Sequence, residues 1–162
     1  MSFQKDTMTS YLTQIDMFKV TLEKTPTDKL QWKPDSNSMS VQDMVEHLAG
    51  SQYFFAAVIK GETPPTPPPS DGAPKAKTRE LLLKELEQSC DMMSRTIGSV
   101  PDSSLDRPIK LPFGHTVKTR FMMTVPGFHA TYHWGQLSFL QKMWGDNKDH
   151  MADPSFPLGG RY

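Results

Sequence analysis

The chain has one cysteine, Cys90, and so can close no internal disulfide. That suits a reducing compartment. It has no excess of either charge, with 18 Lys and Arg against 18 Asp and Glu, and no run of basic residues. A nucleic acid or an anionic membrane would find no electrostatic footprint on such a chain. No apolar run approaches the ~20 residues of a membrane span, and "MSFQKDTMTSYLTQ" lacks the apolar centre of a secretory signal. The expectation is a soluble, cytoplasmic protein that binds neither nucleic acid nor membrane. No internal repeat is visible, and nothing alternates with period two for long enough to announce a sheet. The 162 residues match the ~100–200 of one ordinary core, so 1–162 reads as a single domain.

What is present is helical periodicity, in four segments. In the first, about 3–24, Met8, Tyr11, Leu12, Ile15, Phe18 and Leu22 recur at spacings of three and four. The second starts near Ser40, a good N-cap with Asp43 three residues on, and stops at Gly61. Its buried side is Val41, Met44, Val45, Leu48, Phe55 and Ile59. The third, about 77–98, carries Leu82, Leu86, Cys90, Met93 and Ile97. The fourth, about 118–144, contains Pro126, which removes one backbone donor and predicts a kink. Between the second and third lies "ETPPTPPPSDGAPK", whose prolines exclude helix and central strand. It is either a domain linker or a long crossover. Two helices on each side are too few to fold alone, which favours the crossover. Four amphipathic helices with long connections describe an all-α four-helix bundle.

The fourth segment holds "FHATYHWGQLSFL". Residues four apart share one helical face, so His129 and His133 point the same way. Such a pair can grip a divalent metal ion, but two ligands make a weak site. His47, mid-way along the second helix, is the third ligand candidate, because facing helices can direct side chains to one interior point. The competing reading is a set of satisfied core histidines. If all three bind one ion at ~2.1 Å, their nearest ring nitrogens should stand roughly 3–3.5 Å apart.

"EHLAGSQYFF" on the second helix, followed by "HATYHWGQLSFLQKMWG" on the fourth, resembles the DinB/YfiT-like family of bacterial metalloproteins. "LQWKPDSNSMSVQDMVEHLAG" resembles its lead-in of tryptophan, proline and a capped helix with a ligand. The resemblance runs from about Leu12 to Gly145. It implies an up-down-down-up bundle, with the Pro-rich stretch as crossover and His47, His129 and His133 as the metal triad. The family's usual ion is nickel or zinc, with water completing an open shell. The implied activity is that of a metal-dependent hydrolase or a transferase dependent on a low-molecular-weight thiol such as bacillithiol or mycothiol. The alternative is a non-catalytic stress-response or binding module with a structural metal. Relatives commonly pair through helices, and the broad apolar stripes, with Phe139 and Trp144 beyond the metal face, point to a homodimer. Trp134 stands where many relatives carry arginine.

Other residues read more plainly. Gln136 either bonds a ligand ring or packs between helices. Gly135 is expected to permit a close helix approach. Asp43 could orient His47, but capping competes for its oxygens. Tyr53 and Tyr132 could offer hydroxyls near a substrate, with packing the better reading for each. His115 reads as a surface-loop residue and His150 as a solvated one. Cys90 reads as a small buried hydrophobe, and the methionines as adaptable core. A catalytic site would need a mouth, for which "LPFGHTV" and the Pro-rich stretch are the expected walls.

Overall fold

The computed structural model describes residues 2–66, 75–111, 114–148 and 150. Within them run four long helices: α1 (Phe3–Glu23), α2 (Val41–Lys60), α3 (Arg79–Ser99) and α4 (Thr119–Met143). Each begins or ends where local chemistry dictates. Ser2 caps α1 and Thr78 caps α3, each hydroxyl accepting from a backbone N–H of the first turn. At α2 the Ser40 hydroxyl accepts from the Asp43 N–H at 3.1 Å, and the Asp43 carboxylate accepts from the Ser40 N–H at 2.9 Å. This reciprocal box satisfies two donors that would otherwise be orphaned. Gly61 ends α2 with φ +79°, a left-handed conformation that a side chain would strain.

The expected apolar stripes meet in one core. Tyr11, Ile15, Phe18 and Leu22 of α1 are buried, as are Leu48 and Ile59 of α2 and Leu82, Leu86, Cys90, Met93 and Ile97 of α3. Met122, Met123, Ala130, Leu137 and Leu140 complete it from α4. Burying a large apolar side chain stabilises by ~1.5–3 kcal/mol, so the stripes account for the gathering of the helices. α1 packs on α3 and α4, and so does α2. Deep in this core the Tyr11 hydroxyl donates to Gln52 Oε1 at 3.1 Å.

α4 runs unbroken through Pro126. Immediately after it, Gly127 faces α1 so closely that a Cβ would fall 1.8 Å from Gln14 Oε1. The close approach expected at Gly135 is therefore at Gly127. A Cβ on Gly135 would meet nothing within 4 Å.

The all-α reading holds apart from one small sheet. The connection between α3 and α4 forms a small antiparallel hairpin, β1 (Pro108–Lys110) with β2 (Thr116–Lys118), in register Ile109 opposite Val117. Strands of three residues cannot display a period-two pattern, and only Ile109 is fully buried. Most of the Pro-rich stretch, residues 67–74, lies outside the described residues, as does the tail from 151 onward. Among the described residues, no helix is long and apolar enough to cross a membrane.

Candidate metal centre

α2 and α4 pack side by side, and each presents histidine at the seam. The buried stripe of α2 packs against α3 and α4 and leaves His47 on the side facing α4. The one-turn spacing on α4 stacks His129 and His133 beneath it. His129 Nε2 lies 3.0 Å from His47 Nε2 and 3.0 Å from His133 Nε2. The ligand-capable atoms of all three lie within 4.8 Å of one another, and among the described residues no carboxylate or thiol joins them. Burial is graded: His133 is buried, His129 intermediate and His47 exposed. The cluster thus opens on the flank of the bundle.

Neighbouring rings and one amide fix these imidazoles. Phe55 meets the His129 ring edge-on at 5.5 Å, and Tyr132 meets the His133 ring at 5.1 Å. Gln136 Oε1 lies 2.7 Å from His133 Nδ1, while the Gln136 amide donates to the Tyr132 hydroxyl at 3.2 Å. The carbonyl oxygen can only accept, so His133 carries its proton on Nδ1 and turns an Nε2 lone pair toward the cluster. Gln136 therefore does bond a ligand candidate's ring.

That tautomer tests whether the cluster can be an ordinary hydrogen-bonded group. Both 3.0 Å contacts share His129 Nε2. If His129 Nε2 carries a hydrogen, it can donate to His133 but cannot accept from His47. If it is bare, it can accept from His47 but then faces the bare Nε2 of His133. One contact is left without a proton in either case. A divalent ion shared by three lone pairs removes the conflict. The 3.0 Å spacings also match two imidazoles on one ion at ~2.1 Å. The residues present fit such an ion.

The electrostatics agree. Burial, with His133 and His47 adding to it, pushes the His129 pKa down to about 4. His133 is lowered too, chiefly by burial, which outweighs the opposing bond from Gln136. Both rings are held neutral, as ligands must be. His129 Nδ1 is buried with no partner among the described residues.

A cleft of about 940 Å³ reaches the cluster at His47. Ser51, Tyr53 and Phe54 of α2 line it, with Pro65 and Thr66 from the start of the Pro-rich stretch. None of the described residues of "LPFGHTV" does, because that hairpin sits against the far end of α2, where Arg107 bonds the Ile59 carbonyl. Sequence reasoning missed one feature of the cleft. Lys77 is clamped between Glu46 at 3.1 Å and Glu85 at 2.7 Å, three residues with no shared local pattern.

Other candidates sit elsewhere. Asp43 spends its carboxylate on the cap and on Lys33 at 2.5 Å, not on His47. His150, expected to be solvated, is partly buried and pairs with Asp146 at 2.8 Å. Cys90 is buried within the core, and burial pushes its thiol up to about 11. Tyr53 and Tyr132 are both exposed.

This chain is similar to several known proteins. The uncharacterized protein YjoA of Bacillus subtilis strain 168 is 27% identical over 125 residues, covering 71% of this chain and 73% of that protein. The crystal structure of the DinB-like YjoA superposes with a TM-score of 0.69 at 21% identity, covering 94% of this chain and 96% of that one. A conserved protein from Enterococcus faecalis superposes with a TM-score of 0.71 at 13% identity, covering 88% and 97%. At these identities the structural likeness speaks for the fold alone. The family model of the DinB superfamily matches residues 11–137, a span that includes His47, His129 and His133, and the chain belongs to that superfamily.

Proposed function

We propose that this protein binds one divalent metal ion through His47, His129 and His133 and uses it as a metal-dependent hydrolase or a thiol-dependent transferase. The observation that carries the reading is the 3.0 Å convergence of Nε2 atoms. Three neutral imidazoles suit zinc or nickel. An ion so held lowers the pKa of a bound water or thiol and polarises it as a nucleophile.

The protein's own residues divide the remaining work. Gln136 orients His133 and holds its tautomer. His47, exposed on the cleft, leaves a small substrate or a bacillithiol- or mycothiol-like thiol a way in. Phe55 and Tyr132 keep the two α4 rings in place. The core is filled by apolar residues of all four helices, without any need of the histidines, which favours a catalytic ion over a structural one.

The same reading takes 1–162 as one domain with an up-down-down-up path, the Pro-rich stretch crossing between α2 and α3, in the cytoplasm. Contacts at the helix ends support that path. Gln4 at the start of α1 bonds the Val100 carbonyl just past α3, whereas Thr21 near the end of α1 meets Trp134 and Gln141 of α4.

The test is metal analysis of protein purified without an affinity tag, before and after chelation. The expected result is about one equivalent of zinc or nickel, lost in the His129→Ala variant, and a chelated protein that stays folded. Absence of bound metal overturns the proposal. Cooperative unfolding of both the chelated protein and His129→Ala near room temperature replaces it with the non-catalytic module, whose ion only ties α2 to α4.

A further inference from the structure

The cleft beside His47 has two chemically different ends. One is the histidine cluster, which suits a divalent cation. The other is the Glu46–Lys77–Glu85 cluster, two carboxylates against one ammonium, with a negative charge in excess. Between them the floor is Gly50. Successive residues of a helix turn by ~100°, so Gly50 lies ~40° round α2 from Glu46 and ~60° from His47, on the short arc between them. It is exposed, and a Cβ there would meet nothing within 4 Å. Glycine inside a helix is less stable than alanine, and no close approach among the described residues calls for one here. The walls beside it are apolar: Tyr53 and Phe54 of α2, and Pro65 from the stretch that follows.

The carboxylates exceed what the fold needs of them. The approach to α3 is already tied to α2 by the buried Gln42. Its amide donates to the Lys75 carbonyl at 2.9 Å, and its side-chain carbonyl accepts from the Lys77 N–H at 2.9 Å. The Lys77 ammonium is matched by both oxygens of Glu85, at 2.8 and 2.7 Å. Glu46 is thus a second carboxylate on a lysine already paired. Its contacts with Lys77 at 3.1 Å and with the Gln42 amide at 2.9 Å both use Oε1, which leaves Oε2 for a ligand.

We propose that the substrate of this site is an elongated small molecule with an ammonium group at one end. The ammonium pairs with Glu46, the body crosses Gly50 between the apolar walls, and the reacting end meets the ion beside His47. This rests on the metal-centre reading given above. The two ends set the length. A helix with its side chains measures ~10–12 Å across, so the charged nitrogen and the reacting atom stand roughly 10 Å apart. An anionic tail is excluded from the same path, because it meets the excess negative charge.

The probes are three hydroxamates on one five-carbon chain, ending in ammonium, methyl or carboxylate. The hydroxamate grips zinc and the tail spans the cleft. Zinc uptake by the full chain is measured first, then calorimetry of the zinc-loaded protein at low salt. The ammonium probe should bind about five-fold tighter than the methyl probe, which is what one partly exposed ion pair supplies. The carboxylate probe should bind more weakly than either. Glu46→Gln should still take up zinc and should bind the ammonium and methyl probes alike. Gly50→Leu should fold and take up zinc, keep acetohydroxamate, which has no tail, and lose the three tailed probes. Zinc uptake with equal binding of the ammonium and carboxylate probes overturns this proposal alone. So does an ammonium preference that survives Glu46→Gln, or a Gly50→Leu protein that binds the tailed probes as the parent does. A protein that takes up no zinc overturns the metal-centre reading, and this one with it.

Discussion

Replacing Gln136 by leucine removes the acceptor beside His133 and the donor to Tyr132, and leaves every proposed ligand in place. Gln136 Oε1 sits 2.7 Å from His133 Nδ1, the only polar contact of that nitrogen among the described residues. Without it, His133 can move its proton to Nε2, the atom that must offer a lone pair. The Nδ1–H that does remain is left without its acceptor, a loss of ~1–3 kcal/mol for a buried donor. The predicted cost in metal affinity is therefore about 10–100-fold, the range found for partners that orient ligand histidines. The Gln136 side chain packs no core, so metal-free stability should fall by no more than the ~1–3 kcal/mol of that orphaned donor. Gln136→Glu should keep the affinity or tighten it, since a carboxylate accepts the same proton more strongly. Competition with a chromophoric chelator gives the affinities, and thermal melts of chelated protein give the stabilities. If Gln136→Leu binds zinc and nickel as tightly as the parent, His133 Nε2 is not a ligand and the tautomer argument falls.

Metal-depleted protein should lose stability as pH falls below the ordinary histidine value. Above ~pH 6.5 His129 is neutral folded and unfolded; below it the unfolded chain takes a proton that the folded ring refuses until about pH 4. That gap caps the loss at ~3 kcal/mol, and water around a half-exposed ring brings it to ~1–2 kcal/mol. Melting temperature against pH should thus slope less in chelated His129→Ala than in the chelated parent; parallel curves would refute the depressed value. Cys90, buried with its thiol pushed up to about 11, should resist alkylation at about pH 8 in the folded state and react fully in denaturant. Rapid labelling of native protein would show that the core opens at that point.

Much of the architecture was legible because it rests on short-range rules. Spacings of three and four located all four helices to within a residue or two, and the Ser40–Asp43 pair placed the start of α2. The shared face of His129 and His133 was legible for the same reason, since one turn of helix fixes how they point. What the sequence hid depends on which surfaces meet. The β1–β2 hairpin is too short to show a period, and its one buried residue, Ile109, looks like any loop isoleucine. Gly127 and Gly135 are indistinguishable as letters, and only the packing of Gln14 of α1 against the first separates them. Phe55 belonged to the apolar stripe of α2 in sequence, and its edge-on contact with His129 follows from the α2–α4 crossing rather than from any motif. The Glu46–Lys77–Glu85 cluster joins α2 to α3 and its approach, a long-range pairing without local signature.

The capping box at Ser40 has a consequence for which sequence changes this protein can tolerate. It pins the N-cap of α2, Ser40, and His47 follows seven positions later, close to two full turns. Inserting or deleting one residue between Ser40 and His47 would leave composition, charge and helix propensity almost unchanged. It would nonetheless rotate His47 by ~100° and carry its ring away from α4. The length of that stretch is thus a harder constraint than most of the side chains within it. Substitutions at its outward positions should be tolerated, whereas a change of length turns Leu48, Ala56 and Ile59 out of the core together with His47 and should cost the bundle itself.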